Sequence, residues 1–248
     1  MLGIPPGDRA DFRRWSSVAV SGPAQPPDVY VDAARSMVGY VRELIAAKRA
    51  APGDDLLSAL IAVHEDGDRL SQDELTSMVL LLLVAGHETT LHLIVSGACA
   101  LLRHPDQLAL LRAEPERMPD AVEELLRYDG PVQVAFPAVA AAPVDVGGVT
   151  IPAGEVVLPA LLAANRDPAR FTAPDRLDIT RSPNPHLAFG HGLHHCVGAP
   201  LARLEGRTAL GALLARFPGL RLAEPDAEPA RPPGLLINGL VALPVVLG

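Results

Sequence analysis

One tract constrains this chain more than any other: LSQDELTSMVLLLLVAGHETTLHLIVSGACALLRHP, from Leu70 to Pro105. Ser71 with Glu74 three positions later reads as a capping box, each side chain reaching the other's backbone N–H. Pro105 cannot sit inside a helix and marks the end of the tract. Between these marks lies a helix over about 71–103, roughly three times the mean length in globular proteins. Its apolar residues run nearly all the way round. A helix without a broad polar face must be surrounded, which predicts a central helix through a large fold. A membrane span is the alternative for such a tract. His87, Glu88 and His92 stand near its centre, where charge is most costly in lipid, and they argue against a span.

The rest of the chain is consistent with a globular surrounding. Of 248 residues, 49% are hydrophobic, enough for one sizeable core. A formal net charge of -8 argues against nucleic acid as a partner. Cys99 and Cys196, the two cysteines, make no disulfide framework and suit a reducing, cytoplasmic setting. The start, MLGIPPGDRADFRRW, has no apolar run of the kind a secretory signal needs.

Helical spacing recurs over Val31 to Ala50, where Met37, Val38, Val41, Leu44 and Ile45 share a face. GDDLLSALIAV and MPDAVEELLRY are shorter helices, and Asp129-Gly130-Pro131 ends the second. The proline-rich stretch SGPAQPPDV separates helices rather than breaking one. After Pro131 the pattern turns to β-prone pieces: PVQVAF, VDVGG, VTIPAG and EVVLPALLAA, with a hairpin turn at Gly147-Gly148. The last clear helix, APLARLEGRTALGALLARFP, should bury Leu201, Leu204, Leu210, Leu213 and Leu214, and the tail PPGLLINGLVALPVVLG reads as a closing hairpin. The fold class is mainly α with small β-sheets.

Chemistry concentrates in HLAFGHGLHHCVGAPLARLE, His186 to Glu205. Gly190, Gly192 and Gly198 free the backbone to turn tightly and approach a ligand. Cys196 stands just before a helix, where N–H donors and the helix dipole favour a thiolate. That suits a metal ligand or a reactive thiol. Zinc would draw on His191, His194, His195 and Cys196, but adjacent His195 and Cys196 do not easily converge and no second cysteine is near. A nucleophile would need a base held by a third group. A buried structural cysteine is the plainest alternative.

FGHGLHHCVG, Phe189 to Gly198, resembles the haem-binding signature of the cytochrome P450 family, the haem-thiolate monooxygenases. Phe189, Gly190, Gly192, His194, Cys196 and Gly198 carry the match. The resemblance implies that Cys196 is the proximal ligand of a haem b iron, and that His194 meets a haem propionate. A single thiolate donates electron density to haem iron and favours O–O cleavage. Other stations fall in the family's order. AGHETT resembles the oxygen-activation segment: Ala85 and Gly86 would leave room over the iron, Thr89 would hydrogen-bond during oxygen activation, and Glu88 would sit in the proton relay behind it. Taken alone, Glu88 and Thr89 also fit a satisfied polar pair in a core helix. Glu124 and Arg127 in EELLR resemble the family's structural Glu–Arg pair, with Arg176 of APDRLD as the third member and Glu123 exposed.

The implied architecture is a cytochrome P450 fold, N-terminally truncated relative to the usual chain. It forms one partial domain over 1–248: 1–130 mainly helical, 131–185 hairpins and meander, 186–216 the haem-ligand loop and its helix, and 217–248 a C-terminal hairpin. The implied reaction inserts one atom of O2 into a largely hydrophobic small molecule, with electrons from a ferredoxin or flavoprotein reductase. Substrate-pocket candidates are Leu82–Gly86, Val132 to Phe136 and the residues near Leu240; Arg203, Arg207 and the His191 loop would present positive charge to the redox partner. Ala138 stands where a propionate-binding arginine is expected. The alternative is therefore an inactive or structural fragment with weak or no haem binding.

Overall fold

The computed structural model describes residues 2–21, 25–63 and 70–248. Residues 22–24 of the proline-rich separator lie outside the described residues. The chain divides into two compact units, residues 1–88 and 89–248.

In the first unit, α1 (Arg9–Ser21) and α2 (Pro27–Ala50) pack on each other, and α3 (Leu56–Val63) follows. Proline at the first position of α2 lacks an N–H that the first turn could not use anyway. Ala33, Met37, Val41, Leu44 and Ile45 bury one face of α2, while Val38 is half-buried at its margin. Met37, Val41, Leu44 and Ile45 join Leu2, Phe12, Leu57, Leu75, Val79 and Leu83 in one core. Lys48 and Asp55 form an ion pair between α2 and α3, and the ammonium holds the Asp55 carboxyl below its usual range. Gly3 lies directly against this pair with φ +65°, a position where any Cβ would strike both side chains.

Helix α4 spans Gln72–Arg103. Its start carries the reciprocal capping box: Ser71 N donates to Glu74 Oε2 (2.6 Å), and Glu74 N donates to Ser71 Oγ (3.2 Å). Among the described residues it is the one helix long and apolar enough to cross a membrane, by length and composition alone.

The second unit holds the C-terminal part of α4, α5 (Pro105–Ala113) and α6 (Met118–Asp129). Short pairs follow. β1 (Ala138–Val139) pairs with β4 (Val156–Val157), and between them β2 (Val144–Val146) pairs with β3 (Val149–Ile151). The β2–β3 turn uses Gly147 and Gly148 at φ +57° and +83°, the primed turn that matches strand twist. Then come α7 (Leu161–Ala164), α8 (Ala199–Arg216), and β5 (Arg221–Leu222) paired with β6 (Val245–Val246). Leu93, Leu101, Leu111, Val122, Leu125, Leu126, Leu177, Ile179 and Leu210 are the centre of this core. Two glycines set the helix spacing. A Cβ on Gly97 would lie 3.1 Å from Leu125, and one on Gly206 3.1 Å from Leu93.

Three sequence expectations change. The piece EVVLPALLAA is strand only at Val156–Val157 and helical over Leu161–Ala164. Beyond β4 the pairing thins to a single bridge, Val134 to Ala160, and a Leu-Ala run without a strand partner turns helical. The closing pair lies within 217–248, but its first strand precedes the stretch PPGLLINGLVALPVVLG: Val245–Val246 pairs with Arg221–Leu222, and Ile237 bridges Val132. On α8 the fully buried positions are Ala199, Gly206, Leu210 and Leu214, whereas Leu204 is 54% exposed on the opposite face.

Gly239 of the tail sits against the His92 ring of α4: a Cβ there would fall 2.2 Å from Nδ1. His92 is itself buried, so the ring has little room to yield. Gly239→Ala should therefore destabilise the chain by about 1–3 kcal/mol, read as a lower urea midpoint with unchanged slope.

Candidate functional site

The cysteine loop is built from tight turns. Gly190 N donates to Leu187 O (2.8 Å), His195 N to Gly192 O (3.1 Å), and Cys196 N to Phe189 O (2.9 Å). Gly190 and Gly192 take φ +70° and +78°, which a side chain would strain. His194 closes a short 3₁₀ turn, Gly192–His194, and is exposed. Cys196 is exposed and stands three residues before α8, with its sulfur 3.8 Å from where a Gly198 Cβ would be. An 18-residue helix beginning beside a thiol supplies unpaired N–H groups and a positive dipole end. The flanking Leu193 and Val197 are 96% and 86% exposed.

Phe189 anchors the loop to the core. Its ring packs against the central cluster, and the Arg203 guanidinium from α8 lies 4.6 Å from the ring centroid. Arg203 in turn forms a two-point bond to Glu123 of α6, Nε to Oε1 at 2.7 Å and Nη2 to Oε2 at 2.9 Å. His186 Nε2 meets Glu123 Oε2 at 3.0 Å. The His186 Nδ1 accepts Ala188 N–H (3.2 Å), which assigns the ring proton to Nε2 as donor. Burial works to raise the Glu123 pKa, but hydrogen bonds from His186 and Arg203 and the Arg203 charge outweigh it and bring it down to about 2. Glu123 is thus half-buried and committed, not an exposed surface acid, because two side chains converge on it from the loop and from α8.

One residue along, Glu124 is fully buried. Arg127 grips it with Nε (2.7 Å) and Nη2 (2.8 Å), and Asp178 N donates at 2.9 Å and Asn184 Nδ2 at 3.2 Å. The third charged member is Arg181, with Nε 3.2 Å from Oε2. It is not Arg176, whose side chain is exposed and whose carbonyl accepts from Arg127 and Arg181. The cause is the path of the meander. Arg176 lies between half-buried Pro174, whose carbonyl accepts from Arg127, and buried Leu177, and turns outward, and the chain brings Arg181 back over Glu124. Arg127 also bonds Asn165 O, and Asn165 Oδ1 accepts Leu187 N–H (2.6 Å), so this cluster reaches the start of the cysteine loop.

In the first unit, Ala85 and Gly86 are exposed on α4, and a Cβ added to Gly86 would meet nothing within 4 Å. Glu88 is 7% exposed; its Oε1 accepts from Ser16 Oγ (3.1 Å) and Ser17 Oγ (3.0 Å) of α1. Sequence reasoning missed these serines, since nothing in their spacing ties them to a carboxylate 72 positions on. Thr89, in the second unit, is half-buried.

A cavity of about 480 Å³ in the second unit is polar, with Cys99, Arg103, Arg166, Arg231 and Leu240 in its wall and none of the cysteine loop. Leu240, a substrate-pocket candidate by sequence, lies there and is buried. Burial pushes the Cys99 thiol pKa up, which suits an inert thiol.

Among the described residues, no group of three or more His, Cys, Asp or Glu is placed to hold a metal ion. The zinc alternative has no ligand set there. A lone exposed thiol at a helix start, on a glycine-turned loop with apolar neighbours, has the donor chemistry for a metal whose other ligands arrive with it in a macrocycle. Haem is such a group, and the Cys196 thiol has the donor chemistry that would hold it.

The chain matches the family model for cytochrome P450 over residues 29–238. It is 52% identical over 245 residues to cytochrome P450 107B1 of Saccharopolyspora erythraea, covering 99% of this chain and 60% of that protein. It is 51% identical to the cytochrome P450 monooxygenase PikC of Streptomyces venezuelae, covering 99% and 59%. Among solved structures, the LnmA cytochrome P450 hydroxylase of Streptomyces atroolivaceus superposes with a TM-score of 0.89 at 50% identity, covering 98% of this chain and 63% of that one. The tirandamycin C-bound P450 monooxygenase TamI superposes at 0.92 with 43% identity, covering 99% and 60%. The chain belongs to the cytochrome P450 family, and it spans about 60% of the length of the curated relatives it matches.

Two outcomes follow from the carboxylates. Glu124→Gln would leave two guanidinium groups facing a buried neutral amide, and should cost about 3–5 kcal/mol in urea unfolding. Glu123 has its pKa lowered from 4.5 to about 2 on folding, so its contribution to stability is complete above pH 4.5 and fades as pH falls toward 2. The loss of stability across that acid window should be shallower in Glu123→Gln, measured by urea midpoints at a series of pH values.

Proposed function

We propose that this chain carries the haem-thiolate half of a monooxygenase that inserts one atom of O2 into a largely hydrophobic small molecule. Electrons would come from a ferredoxin or a flavoprotein reductase, and the second oxygen atom would leave as water. The observation that carries the reading is Cys196: an exposed thiol on a glycine-turned loop at the start of α8, in a chain of the cytochrome P450 family. Bound as haem b, the cofactor would supply the O2 activation and electron transfer that no side chain provides.

The protein's own residues would divide the remaining work. Cys196 Sγ would hold the haem iron, with the α8 N–H groups favouring its thiolate. Phe189, Gly190 and Gly198 shape the loop under the ring, and exposed His194 is the side chain available to a propionate. Ala138, on exposed β1, offers that propionate no charge. Ala85 and Gly86 keep α4 low where oxygen and substrate need space. Thr89 Oγ1 would be a hydrogen-bond donor on the oxygen side, and the Glu88 carboxylate would be a proton relay behind it. Ser16 and Ser17, whose hydroxyls donate to Glu88 Oε1, are the next proton-bearing groups on that side. The setting is cytoplasmic, with α4 as a core helix.

The test is spectroscopic. Haem-loaded, reduced and exposed to carbon monoxide, the protein should give the far-shifted Soret band of thiolate ligation, and Cys196→Ala should abolish it. An unchanged band in the alanine variant rejects the assignment. Thr89→Ala should keep the band but divert about 10²-fold more reducing equivalents into peroxide relative to product, the size of a typical lost proton-transfer contribution.

A further inference from the structure

Arg203 was a candidate for redox-partner docking, as a positive charge near the cysteine loop. In the folded chain its charge is already matched inside the molecule, by two bonds to Glu123. What remains exposed to use is geometry. A guanidinium is planar and rigid, and a carboxylate that engages two of its N–H groups fixes the plane as well as the position. That plane lies over the Phe189 ring at 4.6 Å. Two imidazoles also flank the ring, His186 at 6.2 Å and His195 at 6.4 Å between centroids. His186 is tied to the same carboxylate at 3.0 Å. The carbonyl of Phe189 accepts the backbone N–H of Cys196. A continuous path of direct contacts therefore runs from Glu123 on α6, through Arg203 on α8, to Phe189 and the backbone of Cys196.

We propose that Glu123 and Arg203 form a clamp that positions Phe189, and through it fixes where the Cys196 thiolate points. Both are positioning residues. The clamp is built on α6 and α8, two helices outside the loop, so it removes freedom that Gly190, Gly192 and Gly198 would otherwise give the ligand. The role as ligand positioner rests on the reading of Cys196 as the haem ligand, whereas the clamp itself does not.

The experiment has two arms on the full chain. The first needs no cofactor: amide hydrogen exchange at Cys196, followed by NMR, in the unaltered protein and in Glu123→Gln, Arg203→Leu, Arg203→Lys and Glu205→Gln. Glu205 is an exposed acid of α8 and serves as the control. Arg203→Leu and Glu123→Gln should speed exchange at Cys196 about tenfold, the factor that one charge-assisted hydrogen bond is worth, with core amides of α6 unchanged. Arg203→Lys, which keeps charge but loses the fork, should fall between, and Glu205→Gln should match the unaltered chain. Exchange at Cys196 that ignores all four substitutions overturns the clamp.

The second arm adds haem, reductant and carbon monoxide and reads the fraction of thiolate-ligated species. Arg203→Leu should convert about tenfold more of the protein to the unshifted form than the unaltered chain does, and Arg203→Lys should recover part of the loss. A merely structural clamp would move the first arm and leave this fraction alone, which overturns the positioning role. A clamp visible in the first arm, with no thiolate-ligated band even in the unaltered chain, overturns the haem-ligand reading and the positioning role with it.

Discussion

The carboxylate of Glu124 is the point on which the second unit turns. A charge with no exposure is tolerable only if the protein replaces its lost hydration almost completely. Here five donor groups do so: Arg127 and Arg181 with their guanidinium groups, Asn184 with its amide, Asp178 with its backbone N–H, and Arg127 a second time. Two of the donors come from Arg127 on α6 and the other three from separate places in the meander. Satisfying the carboxylate therefore specifies the path of an otherwise irregular segment. Arg127 extends that specification by bonding the carbonyls of Asn165, Pro174 and Arg176. A stretch with almost no regular backbone pairing is thus organised by side chains, which is what buried charge does best.

Glu123 repeats the device one residue away and nearer solvent. Adjacent residues on a helix point about 100° apart. Two neighbouring acids on α6 consequently face different partners: Glu124 the meander, Glu123 the loop and α8. Asn165 connects the two regions, since its backbone carbonyl accepts from Arg127 and its side chain accepts the N–H of Leu187 at the head of the cysteine loop. The loop is therefore held at its start by the Glu124 side of α6 and at Phe189 by the Glu123 side. Its interior needs no further restraint from regular structure.

Much of this was legible in the sequence where the signal is local. The capping box of Ser71 and Glu74, the α4 span, the α2 face and the Gly147-Gly148 turn depend on residues within a few positions of one another, and each stands where its spacing places it. The tight turns of the cysteine loop were legible too, since Gly190 and Gly192 take the positive φ that glycine permits, whereas the roles of its motif residues rest on the family resemblance. What escaped depends on where distant chain returns. Arg181 rather than Arg176 completes the Glu124 cluster, and both are five residues apart on an irregular segment where spacing sets no direction. The tail strand Val245–Val246 finds its partner next to α8 instead of within the tail. Ser16 and Ser17 reach Glu88 across most of the first unit's sequence. Two-residue strands and single hydrogen bonds carry too little local preference to be read from residue type.

On the proposed reading of Cys196 as a haem ligand, a single thiol accounts for so much structure converging on one loop. A structural metal site shares the burden of orientation among several ligands, so that no one of them has to be held tightly by its surroundings. With Cys196 as the one protein donor, as proposed, there is no such sharing. The position and direction of one sulfur then depend wholly on the backbone that carries it, and that backbone is rich in glycine. The same glycines that permit the turns at φ +70° and +78° also lower the cost of leaving them. Restraint must come from outside the loop, from elements that do not themselves bend. Helices α6 and α8 are such elements, and the carboxylate of one and the guanidinium of the other meet over Phe189, whose carbonyl holds the amide of Cys196.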